Sequence, residues 1–150
     1  MQPSHFFSSD QKNLIKQAVT DAELDTSGEI RVHIERHCKG DVLDRGAYLF
    51  EKLGMHKTDK RNGVLFYLAV DDHKFAILGD AGINAVTSED FWDVIKNKMQ
   101  YEFIEVRFTE GLAWGIREAG VQLKEHFPYQ DDDVNELPDD ISFGDQEEEK

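Results

Sequence analysis

The fold is decided by residues 61–82, which read RNGVLFYLAVDDHKFAILGDAG. Two apolar runs, residues 64–70 and 75–78, are joined there by a short polar turn. A continuous apolar run bounded by turn residues is typical of a buried strand, and the second run is then its hairpin partner. Since the turn is too short for a crossover, the second strand must return antiparallel at the edge of the sheet.

The residues before the hairpin predict a β-α-β unit. Ile30, Val32 and Ile34 alternate with polar residues, which indicates a strand with one apolar face and one polar face. Asp41 is placed to cap a helix that ends at Gly54. A strand, a helix and the long apolar strand make a right-handed crossover, so we expect the first two strands to be parallel.

Three more helices are predicted to flank this sheet, and two of them have clear caps. Ser8 and Gln11 have the spacing of a capping box and open a first helix of about residues 9–24. Thr87 or Ser88 can cap the third helix. Its inward positions are expected to be Phe91, Val94, Ile95 and Met99, with Trp92 near the edge of that stripe.

The last helix opens at Thr109 and ends at Pro128. Three glycines would let its backbone pack closely, namely Gly111, Gly115 and Gly120. We therefore predict a three-layer α/β/α sandwich over residues 1–128, with a small mixed sheet flanked by about four helices. Residues 129–150 contain too few apolar side chains to fold, so we predict an acidic disordered tail there.

The charge of the chain is concentrated near its C-terminus. The 150 residues carry a formal net charge of −14, and residues 131–150 contain ten Asp or Glu against one Lys. This balance argues against a nucleic-acid partner, because phosphate backbones are bound through Lys and Arg. It favours a divalent cation, or a basic protein partner for the tail.

The remaining composition is typical of a cytoplasmic protein. The single cysteine, Cys38, cannot form an internal disulfide, which fits a reducing compartment. No apolar run approaches the roughly 20 residues that cross a bilayer, and the N-terminus lacks the features of a signal peptide. We therefore expect a cytoplasmic monomer without a membrane span.

Oxygen ligands gather at both edges of the predicted sheet. On this topology Glu29, Asn62 and Asp80 lie at one edge, and Asp71 and Asp72 lie at the other. Ca²⁺ takes six or more oxygens and Mg²⁺ also prefers oxygen, so carboxylates and amides on loops are suitable ligands. We therefore predict that these five residues include the ligands of a Ca²⁺ site, or of a Mg²⁺ site.

A structural interpretation competes with the metal site at each edge. Aspartates in a hairpin turn, such as Asp71 and Asp72, are most often turn formers. At the other edge, Arg31 or Arg61 can neutralise the acidic residues in salt bridges. Pairs of that kind would make the edge structural. For Glu29 and Asp80 the two interpretations are about even, so theirs is the edge that the sequence favours for the ion.

A second set of ligand types lies on the first strand. His33, Glu35 and His37 project from the same side, which resembles a two-histidine, one-carboxylate set for zinc or iron. A helix is expected to cover that face, and a packed or hydrogen-bonded histidine is then the more frequent outcome.

His33-Ile34-Glu35 also matches half of the zinc deaminase signature, but no P-C-x-x-C follows. The chain contains no nucleotide-phosphate loop, nucleophile elbow or H-E-x-x-H helix.

Five short blocks occur in order along the chain. They are TSGEI at residues 26–30, RNGVL at 61–65, DDHK at 71–74, GDAGI at 79–83 and FTEG at 108–111. In this order they resemble the conserved blocks of the TPM domain family, over about residues 6–127. The chain is most similar to a stand-alone bacterial TPM domain that lacks the membrane segment of many relatives.

The resemblance implies an α/β/α sandwich that binds divalent cations, calcium especially, and in one plant branch an acid phosphatase activity. The candidate ligands that it carries over are Glu29, Asn62, Asp71, Asp72 and Asp80. The chain departs from the family at two places. Arg61 stands where the family commonly has Asp, which lowers the negative charge there, and residues 80–84 replace a Gly-Tyr-Gly-Leu-Glu loop.

Three functions are compatible with these observations. The first is a divalent-cation-binding module with a regulatory or scaffold role. The second is a metal-dependent acid phosphatase, in which a bound cation polarises the phosphoryl group and Arg31, Arg61 or Lys74 hold it. The third is an interaction module that uses its acidic tail on a basic partner.

Overall fold

The structure of the protein, a computed structural model, describes residues 6–24, 26–88, 90–104, 107–129 and 141–144. Four strands form one sheet within them, namely β1 (Glu29–Glu35), β2 (Gly63–Ala69), β3 (Lys74–Gly79) and β4 (Ser142–Phe143). The described helices are α1 (Ser9–Glu23), α2 (Val42–Lys52), α3 (Ala81–Asn84), α4 (Asp93–Ile104) and α5 (Phe108–His126), and a 3₁₀ turn covers Met55–Lys57. None of these helices combines the length and the apolar character that crossing a bilayer requires.

The strands lie in the order β3-β2-β1-β4. β1 pairs in parallel with β2 along its whole length, from Glu29 opposite Gly63 to Glu35 opposite Ala69. β3 returns antiparallel to β2, with Ala69 opposite Lys74. The predicted β-α-β unit and hairpin are therefore confirmed, and the sheet is mixed.

Helices cover both faces of the sheet, so β2 is buried along its whole length. Even-numbered positions of β2, such as Phe66, pack in a cluster with residues of α1, α4 and α5. Odd-numbered positions, such as Tyr67, pack in a second cluster with Leu49 of α2 and with Met55. Burial on both faces explains why β2 is apolar throughout rather than alternating. The arrangement agrees with the predicted α/β/α sandwich.

The caps that begin two helices follow the predicted pattern. Ser8 Oγ accepts a hydrogen bond from the Gln11 backbone N–H at 3.1 Å, and Gln11 Oε1 accepts one from the Ser8 N–H at 2.8 Å. Asp41 Oδ1 accepts from the backbone N–H groups of Leu43 and Asp44 at 2.7 and 3.2 Å. These side chains satisfy donors of the first turn that a helix leaves unpaired.

The region between β3 and α5 differs from the prediction. The short helix α3 begins directly after β3, and the Asp80 side chain caps it by accepting from the next backbone N–H at 2.7 Å. The following helix starts at Asp93 rather than after Thr87 or Ser88. Thr87 instead donates its hydroxyl to the Ile83 carbonyl at 2.8 Å, which continues the turn that ends α3.

The inward face of α4 is also displaced from the predicted one. Ile95 and Met99 are buried as predicted, but Val94 is 75% exposed and Trp92 is 9% exposed. Trp92, Ile95 and Met99 follow one another at helical spacings and share one face, whereas Val94 lies more than a quarter-turn away from it. The prediction that Val94 faces inward is therefore wrong.

Part of the predicted tail is ordered against the sheet. β4 pairs in parallel with β1, with Phe143 opposite Ile34. The outer edge of β1 carries backbone groups that need partners, and the Gly144 N–H donates to the Ile34 carbonyl there at 2.9 Å. Residues 141–144 therefore depart from the predicted disorder. The remainder of that tail after residue 129 lies outside the described residues.

Glycines allow α5 to pack closely on its neighbours, as predicted. A Cβ built at Gly120 would lie 2.7 Å from Ala22 Cα in α1. A Cβ built at Gly111 would lie 2.8 Å from Glu102 Cβ in α4. Such approaches leave no room for a methyl group, so α5 meets α1 and α4 at close backbone distances.

Replacing Gly120 by alanine tests this close packing. A glycine-to-alanine replacement inside a helix generally stabilises it by about 1 kcal/mol, but the new methyl group here would meet the backbone of Ala22. We expect Gly120→Ala to lower the free energy of unfolding by about 1–3 kcal/mol in urea denaturation. The exposed neighbouring variant Val121→Ala should change it by less than about 0.5 kcal/mol. Unchanged or greater stability of Gly120→Ala would contradict the described packing.

Candidate functional site

The five predicted ligands lie at two opposite ends of the sheet. Glu29 opens β1, Asn62 precedes β2 and Asp80 follows β3, so these three residues form what we call the Asp80 end. Asp71 and Asp72 lie in the turn after β2 and form the Asp71 end. A seven-residue strand such as β1 spans about 20 Å, so one ion cannot contact both ends.

At the Asp80 end, the aspartate is paired with an arginine. Arg61 Nε donates to Asp80 Oδ2 at 2.7 Å, and Arg61 Nη2 donates to Asp80 Oδ1 at 2.8 Å. Asp80 is 6% exposed, so its charge is balanced almost entirely by this guanidinium. The hydrogen bonds with Asp80 raise the pKa of Arg61, which keeps the guanidinium charged. This pair is one of the salt bridges that the sequence left open as a structural alternative.

The loop before β2 is shaped around this pair. Arg61 has a φ of +51°, in the left-handed region that residues other than glycine seldom occupy. Its carbonyl accepts a hydrogen bond from the Gly82 N–H at 2.8 Å. A Cβ built at Gly82 would lie 2.1 Å from the Lys60 carbonyl oxygen, so glycine is required for this approach. The loop and α3 are therefore held together by backbone and side-chain contacts.

The other two residues of the Asp80 end are buried. Glu29 is 3% exposed and Asn62 is 1% exposed. Glu29 has other contacts, but its buried Oε2 atom accepts no hydrogen bond from the described residues. Asn62 Nδ2 and Lys60 Nζ both donate to Ser27 Oγ, each at 3.3 Å. A divalent cation that bound Asp80 would have to displace the Arg61 guanidinium, so this pairing disfavours Asp80 as a ligand.

The Asp71 end holds two half-exposed carboxylates. Arg36 Nε donates to Asp71 Oδ2 at 2.6 Å, and His37 Nε2 lies 3.7 Å from the same oxygen. Asp72 Oδ1 lies 3.0 Å from His37 Nδ1, and Asp72 Oδ2 accepts from the Cys38 N–H at 2.7 Å. The hydrogen bonds from His37 and from the Cys38 backbone lower the pKa of Asp72. Both carboxylates are therefore held in place by the segment that follows β1.

Lys74 ties the same end to the loop before α2. Its Nζ donates to the carbonyl oxygens of Cys38 and Gly40 at 3.0 and 3.2 Å. The Asp71 end thus combines two carboxylates with two backbone carbonyls, and hard cations prefer oxygens of both kinds. The two carbonyls already accept hydrogen bonds from the Lys74 ammonium group. Within the described ranges, no group of three or more His, Cys, Asp or Glu residues is arranged to hold a metal ion.

The sequence predicted a packed, hydrogen-bonded histidine on the polar face of β1, but not the buried network to which that histidine belongs. Glu35 is 5% exposed and accepts a hydrogen bond from the Tyr67 hydroxyl at 2.6 Å. Arg45 of α2 donates to the same carboxylate from Nε at 3.1 Å and also from Nη2. His33 Nε2 lies 3.4 Å from Glu35 Oε1, and His33 Nδ1 lies 2.8 Å from Ser142 Oγ. The network joins β1, β2, β4 and α2.

The network does not form the two-histidine, one-carboxylate set. His37 is exposed and lies against Asp72, whereas His33 is 1% exposed and lies against Glu35. The packed, hydrogen-bonded histidine that the sequence favoured is therefore the observed outcome. A clue in the sequence was the basic residue Arg45, which lies on the helix expected to cover this polar face.

The protonation states of the network follow from its contacts. Burial raises the pKa of Glu35, but hydrogen bonds from His33, Arg45 and Tyr67 outweigh burial and lower that pKa from 4.5 to about 2. Burial and the adjacent Glu35 carboxylate raise the pKa of Tyr67. Glu35 is therefore ionised and Tyr67 protonated at neutral pH, so the hydroxyl donates to the carboxylate.

A cleft of about 640 Å³ opens beside this network. Its lining includes His37, Cys38, Arg45 and, from the segment after β4, Gly144. A Cβ built at Gly144 would lie 2.7 Å from Glu35 Cγ, so the chain approaches the network where a side chain would not fit. The cleft therefore lies between the loop before α2 and the ordered part of the C-terminal segment.

The fold and the two ends define a small α/β/α domain whose polar residues cluster where the strands begin and end. A family model of the TPM domain matches residues 1–122. The chain therefore belongs to the TPM domain family, which confirms the resemblance seen in the sequence.

Solved structures agree with this assignment. The chain is 46% identical to the BA42 protein from the psychrophilic bacterium Bizionia argentinensis, known from an NMR structure, with a TM-score of 0.88 over 93% of this chain and 97% of that chain. The N-terminal domain of the cg2496 protein from Corynebacterium glutamicum is 16% identical, with a TM-score of 0.63 over 79% of this chain and 74% of that one. The N-terminal domain of a P. gingivalis protein is 18% identical, with a TM-score of 0.66 over 85% of this chain and 84% of that one. The last two show likeness of fold alone. A search of curated proteins found no match.

The lowered pKa of Glu35 predicts a loss of stability in acid. Because the folded-state pKa of about 2 is below the ordinary 4.5, the stabilisation is fully present above pH 4.5 and is lost as the pH falls toward 2. We expect the free energy of unfolding to fall by about 2–3 kcal/mol more in the wild type than in Glu35→Gln over this range. Urea denaturation at a series of pH values measures this difference in the free energy of unfolding. In the exposed control variant Glu51→Gln, the free energy of unfolding should depend on pH as it does in the wild type. If Glu35→Gln also showed the wild-type dependence, the predicted contribution of Glu35 to stability would be refuted.

Proposed function

We propose that this TPM domain binds a divalent cation, Ca²⁺ or in second place Mg²⁺, as a regulatory or scaffold module, with the ion at the Asp71 end. The observation that supports this choice is the different state of the carboxylates at the two ends. Both oxygens of Asp80 are held by Arg61, whereas Asp71 Oδ1 makes no hydrogen bond within the described residues. The Asp71 and Asp72 side chains are also 34% and 30% exposed, so an ion can reach them.

The energetics of ion pairs favour the same end. Exposed ion pairs generally contribute less than about 1 kcal/mol to the stability of the fold, so exchanging one of their partners for another cation costs little stability. Removing the partner of a buried charge generally costs about 3–5 kcal/mol. Arg36 and His37, which face Asp71, are 37% and 56% exposed, whereas Asp80 is almost fully buried. A cation from solution therefore competes more easily for Asp71 than for Asp80.

The residues that would hold the ion are Asp71 and Asp72, with the carbonyl oxygens of Cys38 and Gly40 as neighbours. Water would supply the remaining oxygens that Ca²⁺ requires. Asp72 and Lys74 both bind the loop that precedes α2, so replacing their contacts alters that loop. A regulatory effect would reach the adjacent 640 Å³ cleft through Cys38, which lines it.

A calcium titration followed by amide NMR tests this proposal. We expect localised shifts at residues 36–38 and 70–74 of the full chain, because these residues form the Asp71 end. Asp71→Asn should weaken binding by about tenfold or more, since it removes one charge-assisted ligand. Asp80→Asn should leave the affinity within about twofold, because that carboxylate is already paired with Arg61.

Two outcomes would contradict the proposal. One is the absence of any localised response to millimolar calcium in the folded protein. The other is a response centred on residues 29, 62 and 80 that disappears in Asp80→Asn but persists in Asp71→Asn. The amide spectrum of each variant without calcium shows whether that variant is folded.

A metal-dependent acid phosphatase is the second candidate function. The observation that favours it is the presence of Arg36 and Lys74 beside the carboxylates of the Asp71 end, because a transferred phosphoryl group needs cationic partners. Hydrolysis of an aryl phosphate should then require an added divalent cation and fall at least about tenfold in Arg36→Gln. Equal rates in the wild type, Arg36→Gln and Asp71→Asn would identify a contaminating enzyme.

A further inference from the structure

A second cleft, of about 480 Å³, lies between the β2–β3 hairpin and α4, with the first turn of α5 at one side. We refer to it as the hairpin cleft. Its volume is within the range of roughly 300–1,000 Å³ that small-molecule sites occupy. Its lining contains neither Asp71 nor Asp72, the ligands proposed above, and it shares Lys74 with the Asp71 end.

The floor of the hairpin cleft is aromatic. Phe75 and Phe103 meet edge to face with ring centroids 5.1 Å apart, and Phe103 stacks on Phe108 at 5.3 Å. All three rings are packed against the main core cluster but remain half-buried. Leu68 and Val70 of the hairpin extend the same apolar lining. An apolar ligand would remove this surface from water.

The rim of the hairpin cleft carries more positive than negative charge. Lys74 and Lys96 line it together with His73, and Asp93 is the one acidic residue among the described residues of the lining. Lys74 Nζ already donates to the Cys38 and Gly40 carbonyls, so Lys96 is the lysine left to pair with a ligand. Lys96 is half-buried, and its side chain forms no ion pair within the described part of the chain. A basic lining is notable in a chain whose formal net charge is −14. The rim therefore favours an anionic group beside the aromatic floor.

We infer that the hairpin cleft binds a small amphipathic carboxylate of the fatty-acid class. The hydrocarbon chain would cover Phe75, Phe103 and Phe108, and the carboxylate would pair with Lys96. A compact polar anion would leave the aromatic floor in water, and a neutral hydrocarbon would leave Lys96 without a counter-charge. An amphipathic carboxylate matches both parts of the cleft.

Amide NMR titration of the full chain with octanoate, decanoate and 1-octanol tests the inference. We expect localised shifts at residues 73–75 and 96–103. Each buried methylene contributes about fourfold in affinity, so decanoate should bind more than about tenfold tighter than octanoate. Octanol has a similar chain without the charge, so it should bind about tenfold more weakly than octanoate.

Two matched lysine variants separate the charge from the fold. Lys96→Gln should weaken octanoate binding by about tenfold and leave octanol binding unchanged. Lys98→Gln, on the same helix but outside the lining of the cleft, should leave both unchanged. Asn97→Trp should block both ligands, because a large ring at the rim fills the cleft without removing a buried side chain.

Several results would overturn the inference. They are shifts spread over the whole protein, equal affinities for octanoate and decanoate, and equal effects of Lys96→Gln and Lys98→Gln. Binding to anionic phosphatidylglycerol vesicles without binding to dissolved octanoate would assign the surface to membranes instead. Because Lys96 and Asn97 lie outside the Asp71 end, these outcomes are independent of the calcium titration.

Discussion

The in-register parallel pairing of β1 with β2 is the constraint on which the polar geometry of this protein depends. It aligns Glu29 with Gly63 and Glu35 with Ala69, so the strand beginnings and the strand ends are fixed at opposite sides of the sheet. The hairpin then returns the chain to the first side, where Asp80 meets Arg61. The five oxygen ligands predicted from the sequence are thereby divided between two ends of the sheet that no single ion can bridge.

Two of the buried carboxylates, those of Asp80 and Glu35, are each paired with a basic residue supplied by the fold. Arg61 balances Asp80 at one end, and Arg45 with Tyr67 balances Glu35 on the face covered by α2. Such pairs carry their own counter-charge, so they favour a structural role. Among the five predicted ligands, the carboxylates that remain accessible are those of the hairpin turn, whose basic partners are themselves exposed. Burial therefore decides which of the acidic residues can exchange a partner for an ion.

Most of the fold could be predicted because its signals are local. The apolar run of β2, the alternation in β1 and the caps at Ser8 and Asp41 each act within a few residues, and the structure confirms them. β4 could not be predicted in the same way. It consists of two residues within an acidic segment, and its stability comes from pairing with β1 rather than from its own sequence.

The geometry of the polar sites depends on pairs of side chains from distant parts of the chain, and the hydrophobic periodicity of the sequence does not reveal such pairs. The sequence offered Arg31 or Arg61 as partners of the acidic residues at the Asp80 end, and the positive φ of Arg61 accompanies its pairing with Asp80. Arg45 reaches Glu35 because the crossover returns α2 over the polar face of β1. The inward face of α4 was misplaced for a related reason. Val94 has suitable spacing in the sequence, but tertiary packing placed Trp92 on the buried face instead.

Paramagnetic broadening by Mn²⁺ tests the central claim most directly, because the effect falls steeply with distance and the two ends of the sheet are about 20 Å apart. Traces of Mn²⁺ added to the full chain should first broaden the amide signals of residues 36–38 and 70–74. The signals of residues 27–30 and 61–63 should remain sharp at the same concentration. Broadening that begins at residues 27–30 and 61–63 would place the ion beside Asp80 and contradict the account.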